Sequence, residues 1–224
     1  MQLNNLQEQA VERSRSDLLV KTYALLSLGF VLMAVGVGVG LQFLPQLLSL
    51  GKWGYLIVSL VATIGTMFLA LLNQKNVLGY IFFGLFTFTV GFFDAPAIAV
   101  ILGSPALLEI FKEAFILTAV ITGSLTVYAL VSKKDFSFMQ GFLFVGLILV
   151  VVMAIISIFW HNKILHLLIA GMGSFLFSAF ILYDTSRLVH EKGTPVEIAI
   201  ALFLDIVNLF WSLFELLRIF KGEE

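Results

Sequence analysis

Seven stretches of this chain are long and apolar enough to cross a lipid bilayer, and no other feature limits its fold as tightly. They fall at roughly 22–44, 53–72, 77–101, 114–131, 138–160, 164–189 and 196–220. A helix rising ~1.5 Å per residue needs about 20 such residues to span ~30 Å of hydrocarbon, and each stretch comes near or beyond that length. The gaps are short and carry breakers: Pro45 and Gly51-Lys52 in the first, Asn73-Gln74-Lys75-Asn76 in the second, Ser132-Lys133-Lys134-Asp135 in the fourth. None is long enough to hold a second domain. With 60% hydrophobic and 12% charged residues and a mean hydropathy of +1.06, the chain is not a soluble globule, whose apolar share is about 45–50%. The expected fold is an all-α integral membrane protein of seven transmembrane helices, with residues 21–224 as one membrane domain.

Residues 1–20 are polar, with Glu8, Glu12, Arg13, Arg15 and Asp17, and lack the basic-then-apolar order of a cleaved signal peptide, so they read as an exposed tail. If that tail is cytosolic, seven crossings put Arg13, Arg15, Lys21, Lys75, Lys133, Lys134, Arg187 and Lys192 inside and Lys52, Lys112, Lys163, Arg218 and Lys221 outside. The excess inside fits the positive-inside rule. A seventh segment that re-entered would move Arg218 and Lys221 inside as well; the last run is long enough to cross, so seven crossings are kept. A net charge of −1 and no basic run longer than Lys133-Lys134 exclude a nucleic-acid footprint. With no Cys there are no disulfides, thiolate metal sites or cysteine nucleophiles.

Asp184 and Asp205 lie within the last two apolar runs, where an ionised carboxylate costs roughly 2.5–3.5 kcal/mol at mid-span. Such a residue faces a partner, water or an ion path rather than lipid. Both fall in the cytosolic half, one late in an inward-running helix and the other early in the next. At 100° per residue with Asp205 as zero, Glu197 falls at about −80°, Asn208 at about −60°, Ser212 at about −20° and Glu215 at about −80°, within a quarter of the circumference. Asn208 and Ser212 alone would be ordinary interhelical hydrogen-bonding groups; with the carboxylates on the same face they read as a polar path. In the sixth run Ala170, Ser174 and Ser178 recur every four residues beside Gly171 and Gly173, a surface for close helix packing. Arg187, one turn after Asp184, permits an i,i+3 salt bridge, the structural alternative for that acid. His166 lies at the opposite membrane end and reads as interfacial.

Tyr183-Asp184-Thr185 closing the sixth helix, then Ala201 to Phe210 (ALFLDIVNLF) and Leu216-Leu217-Arg218-Ile219-Phe220 in the seventh, resemble the C-terminal motifs of the Bax inhibitor family. Lys133-Lys134-Asp135-Phe136-Ser137-Phe138 is similar to that family's basic-Asp-hydrophobic-Ser linker, and Val77-Leu78-Gly79-Tyr80 to its start of the third helix. The resemblance covers essentially the whole chain. It implies a seven-helix bundle with the last helix central, and a pH-sensitive calcium leak in which the aspartates matching Asp184 and Asp205 form a hydrogen-bonded pair governing opening. Two carboxylates in contact cannot both ionise cheaply, so they share a proton and titrate together. The shared proton holds two helices together; its loss gives repulsion and leaves hard oxygen ligands suited to calcium.

Two departures from the family pattern bear on that expectation. Bacterial calcium-leak members place a Glu and an Arg where this chain has Ala62 and Asn73, leaving Lys75 or Arg187 as the cationic partner of the pair. Asp94, in Gly91-Phe92-Phe93-Asp94-Ala95-Pro96, is an added intramembrane acid. It reads either as a cap for the half-helix that Pro96 would start or as a pathway acid in the outer half.

Enzyme readings find little support. His161, His166 and His190 all sit at or near helix ends, away from any serine nucleophile. An intramembrane aspartyl protease would use two aspartates on adjacent helices, but Asp205 follows Leu204 with no glycine between Gly193 and Gly222. The seventh run has no interior Lys for a retinal Schiff base. The expected activity is a pH-sensitive calcium leak in a bacterial inner membrane, with calcium and protons as the ions handled, Asp184 and Asp205 as sensor and calcium ligands, Asn208, Ser212, Glu215 and Asp94 along the path, and no catalytic residues or cofactor. The rival is a non-transporting regulator of a membrane-bound protease, contacted through the N-terminal tail.

Overall fold

In the computed structural model, which describes residues 2–160 and 162–223, the apolar runs form helices whose ends follow local chemistry. The order is α1 (Gln2–Gln42), α2 (Leu44–Ser49), α3 (Gly51–Leu72), α4 (Val77–Leu102), α5 (Pro105–Ser132), a 3-10 turn (Ser137–Met139), α6 (Gln140–Phe159), α7 (Lys163–Val189) and α8 (Pro195–Lys221). Seven of these helices, α1 and α3 to α8, are long and apolar enough to cross a membrane. His161 lies outside the described residues. Ser104 caps α5, its Oγ accepting from the Leu107 amide at 3.4 Å ahead of Pro105 in the first turn. Asn162 Oδ1 accepts from the amides of Ile164 (2.8 Å) and Leu165 (3.3 Å) at the start of α7, and Thr194 Oγ1 from Glu197 (3.2 Å) at the start of α8.

Three boundaries differ from the sequence reading. The polar residues before the first span are the opening turns of α1 itself, with Asp17 and Lys21 paired at 2.6 Å across one turn. The fourth helix begins at Pro105 rather than near 114, because Glu109, Lys112 and Glu113 extend it as a polar first stretch. Pro96 does not break α4, which runs unbroken from Val77 to Leu102, so Asp94 caps no half-helix. A proline inside a helix loses one ladder bond and costs ~3 kcal/mol. Next to that fault the Tyr55 hydroxyl, from α3, donates to the Phe93 carbonyl, and its ring meets the Phe93 ring edge-on at 6.0 Å.

The chain divides into two compact units, 1–103 with 193–203, and 104–192 with 204–224. In the first, α1 lies against α4 at glycine contacts. A side chain at Gly36 or Gly40 would strike the carbonyls of Phe88 or Phe92, and one at Gly91 the carbonyl of Met33. Only hydrogen fits where backbones approach so closely. Phe203, fully buried on the first turns of α8, gathers Phe30, Phe83 and Phe86 at ring distances of 5.2, 6.3 and 5.5 Å. In the second unit α7 packs against α5 and α6, with Leu143 and Val150 of α6 closing on Leu176. Gly173 admits Ser212 of α8: a Cβ there would lie 2.5 Å from the Ser212 Oγ. Phe111 of α5 meets Phe210 of α8 edge-on at 5.0 Å. Half of the most apolar window of α8 is buried, 50% against 33% or less in every other span.

Candidate functional site

Asp184 lies five residues before the end of α7 and Asp205 ten residues into α8, ~8 Å and ~15 Å from the ends that the Val189–Pro195 connection joins. Both acids are buried, at 4% and 6% exposure, although each is an ionisable group inside a span. Their carboxyls lie close enough to interact directly. Asp205 Oδ2 is buried with no hydrogen-bond partner among the described residues. Arg187 Nη1 donates to Asp184 Oδ1 at 2.8 Å, and the guanidinium carbon lies 6.0 Å from the centre of the Tyr183 ring. Asp184 therefore makes the local i,i+3 ion pair and the interhelical contact together. Arg187 also stands in the last turn of α7, where the helix dipole favours a cation.

The polar stripe beyond the pair is less uniform than its spacing implies. Asn208 turns its amide onto its own helix, Nδ2 donating to the Leu204 carbonyl at 2.7 Å. Ser212 sits in the notch at Gly173. Glu215 Oε1 accepts from Arg218 Nη2 at 2.8 Å and lies 3.7 Å from Nδ1 of His166, so the histidine read as interfacial stands beside an acid of the stripe. Ser174 and Ser178 spend their hydroxyls on carbonyls of α7, at 2.8 and 2.7 Å. Lys75 is exposed between α3 and α4, and half-buried Asp94 lies within α4, where it interacts electrostatically with Tyr55; both belong to the first unit. No three His, Asp or Glu side chains among the described residues cluster as a metal cage.

Beside the pair lies an arrangement the sequence reading noticed only as a motif. Phe136 N–H donates to Ser186 Oγ at 3.3 Å, tying the α5–α6 linker to the turn of α7 that carries Asp184 and Arg187. Lys192 Nζ donates to Asp135 Oδ2 at 2.6 Å and to Ser137 Oγ at 2.7 Å. Those contacts bridge 50 to 57 residues, beyond the reach of helical periodicity. The only signal for them was the composition of the linker.

A sequence model of the family described as "Inhibitor of apoptosis-promoting Bax1" matches residues 15–222. The chain belongs to the Bax inhibitor family. Within it, the chain is 33% identical to an uncharacterized membrane protein of Vibrio cholerae over 97% of its own length and 95% of that protein's. It is 31% identical to protein lifeguard 4 of Mus musculus, covering 91% of this chain and 85% of the relative. A Golgi anti-apoptotic protein of vaccinia virus is likewise 31% identical, over 92% and 86%. The seven apolar helices and the membrane-protein relative make this Bax inhibitor family chain a multi-pass membrane protein.

Proposed function

We propose that this Bax inhibitor family protein is a pH-sensitive calcium leak of a bacterial inner membrane, with its N-terminus in the cytosol, and that the proton held between Asp184 and Asp205 gates it. One observation carries the reading: two buried carboxyls in contact across α7 and α8, one with an oxygen left without a partner among the described residues. A buried oxygen without a donor is costly unless a proton, an ion or water serves it. While the proton is shared, the pair joins the two helices. Once it leaves, two negative charges in a low dielectric repel, the helices part, and four carboxylate oxygens become ligands for a hard cation. Calcium takes six to eight oxygens, so a pair of carboxylates suits passage, with water completing the shell, better than firm retention. Arg187, bonded to Asp184, supplies the cation beside the pair. From the pair, a path along α8 would pass Asn208 and Ser212 toward Glu215. Members of this family are not known as enzymes.

The test is calcium entry into liposomes holding the purified full chain, followed with an enclosed dye as the pH on the cytosolic side is stepped. Flux should rise as pH rises through the titration of the pair. Asp184→Asn together with Asp205→Asn should remove that pH dependence. A wild-type flux equal to that of empty vesicles at every pH sinks the proposal.

A further inference from the structure

The end of the second unit away from the carboxyl pair carries charges of its own. Glu215 closes the polar stripe of α8, one turn past the Ser212 notch at Gly173 and ~9 Å before the helix ends at Lys221. Its side chain is 26% exposed, and Arg218 Nη2, one turn further on, donates to Oε1 at 2.8 Å. His166 of α7 approaches the same oxygen, but its Nδ1 stays 3.7 Å away, beyond direct hydrogen bonding. The direct bond therefore belongs to Arg218. Its guanidinium is also a held charge: the side chain is 34% exposed, yet Nε is buried with no hydrogen-bond partner among the described residues. An arginine with its Nε enclosed does not swing out to water as basic side chains near the ends of spans commonly do. Lys221, the next cation along α8, points about 120° away from Glu215 and is taken by Glu113 of α5 at 2.6 Å.

We propose that Arg218 is an electrostatic brake on cation entry: by neutralising Glu215 it withholds from cations the acid of the stripe nearest this end, and so sets the rate at which calcium enters there. The inference rests on the proposed leak and deepens it, and it makes no use of the protonation of Asp184 or Asp205, which lie about 15 Å and more from Glu215 along the bundle. A carboxylate at the mouth of a path concentrates cations near it, whereas a fixed guanidinium repels them. With Nη2 at bonding distance the two fields largely cancel a few ångströms away, and an arriving cation meets a nearly neutral pair. Arg218 acts through Glu215 rather than on the ion, so it is a positioning residue for charge. Two consequences separate this role from a mere tie within α8. Removing either partner changes entry in opposite directions, because one loss leaves a negative charge and the other a positive one. Calcium responds more than sodium, since a divalent ion feels twice the force at the same distance. Both effects shrink at high ionic strength, because the pair is a quarter to a third exposed and a Debye length of ~3 Å at 1 M screens it.

The experiment measures calcium and sodium entry, each with an enclosed dye, into liposomes of uniform orientation holding equal amounts of folded full chain. The ion is supplied on the side where α8 ends, at one fixed pH and low salt. Arg218→Gln should raise calcium entry at least about threefold and sodium entry less. Glu215→Gln should lower calcium entry, and the double variant, which leaves no unpaired charge, should fall between the two singles even if Arg218→Gln folds poorly. Arg218→Lys keeps the charge and should stay much closer to the wild type than Arg218→Gln. Lys221→Met, which removes a cation turned away from the stripe, should change entry far less. At 1 M salt the gap between Arg218→Gln and the wild type should close. Entry above that of empty vesicles in the wild type, with Arg218→Gln equal to it or reduced alongside Glu215→Gln, overturns the brake and leaves the leak standing. No entry of either ion in the wild type at any pH overturns the leak and the brake together.

Discussion

Asp184 is held from two sides, and each contact has a separate consequence. The guanidinium of Arg187 at 2.8 Å stabilises its charge, whereas the carboxyl of Asp205 opposes it. Both partners are largely out of water, with side-chain exposures of 18% for Arg187 and 5% for Asp184, so solvent screens the ion pair little. Arg187→Gln should therefore hold the shared proton, and the closed state, to higher pH. It should also lower thermal stability in detergent by about 1–3 kcal/mol, the cost of leaving a buried acceptor short of its donor. The two readouts are the midpoint of the flux–pH profile and the melting temperature of the same preparation. A profile that moves to lower pH, or not at all, contradicts the role given to Arg187. The spacing of Asp184 and Arg187 already announced this pair in the sequence. The contact with Asp205 was foreseen through a family resemblance, because periodicity fixes which face of a helix an acid occupies and not what that face meets.

Among elements, α1 and α4 show how membrane helices associate where water gives no hydrophobic drive between them. Attraction comes from close backbone contact at Gly36, Gly40 and Gly91, where a methyl group would enter the carbonyls of Phe88, Phe92 and Met33. Gly36→Ala and Gly91→Ala should each cost about 1–3 kcal/mol, since backbone carbonyls in packed helices cannot yield as a flexible side chain can. Gly38, on the same helix with nothing within 4 Å of its added Cβ, gives the control. Gly38→Ala should be neutral or gain up to about 1 kcal/mol from helix propensity alone. Melting of the three variants in one detergent decides between packing and composition: equal losses at 36, 38 and 91 would remove the packing argument. Pro96 carries a related lesson. Its place near the end of a long apolar run looked like a break, but a helix packed along its length against α1 and α3 tolerates the lost bond, with Tyr55 serving the neighbouring carbonyl.

Over the whole molecule, seven crossings put alternate connections on opposite sides of the membrane, and the chain offers a direct check because it contains no cysteine. Single cysteines at Lys75 and Lys134 should react with a membrane-impermeant thiol reagent from the cytosolic side, and those at Lys52 and Lys163 from the other. Labelling of 75 and 134 from opposite sides would break the seven-crossing topology. The sequence alone determined the number of spans, their approximate limits and the two acids that lipid cannot accommodate, because hydropathy, helix rise and the cost of buried charge are local properties summed along the chain. Family membership was legible in short motifs for the same reason. Only the tertiary structure decided that Asp184 keeps Arg187 and Asp205 at once, that Asn208 bonds its own helix, that Glu215 stands beside His166, and that Asp135 reaches Lys192 across 57 residues. Those outcomes depend on which faces of separate helices meet, and that follows from where glycines let backbones close and from how the linkers are tied, neither of which periodicity within one helix encodes.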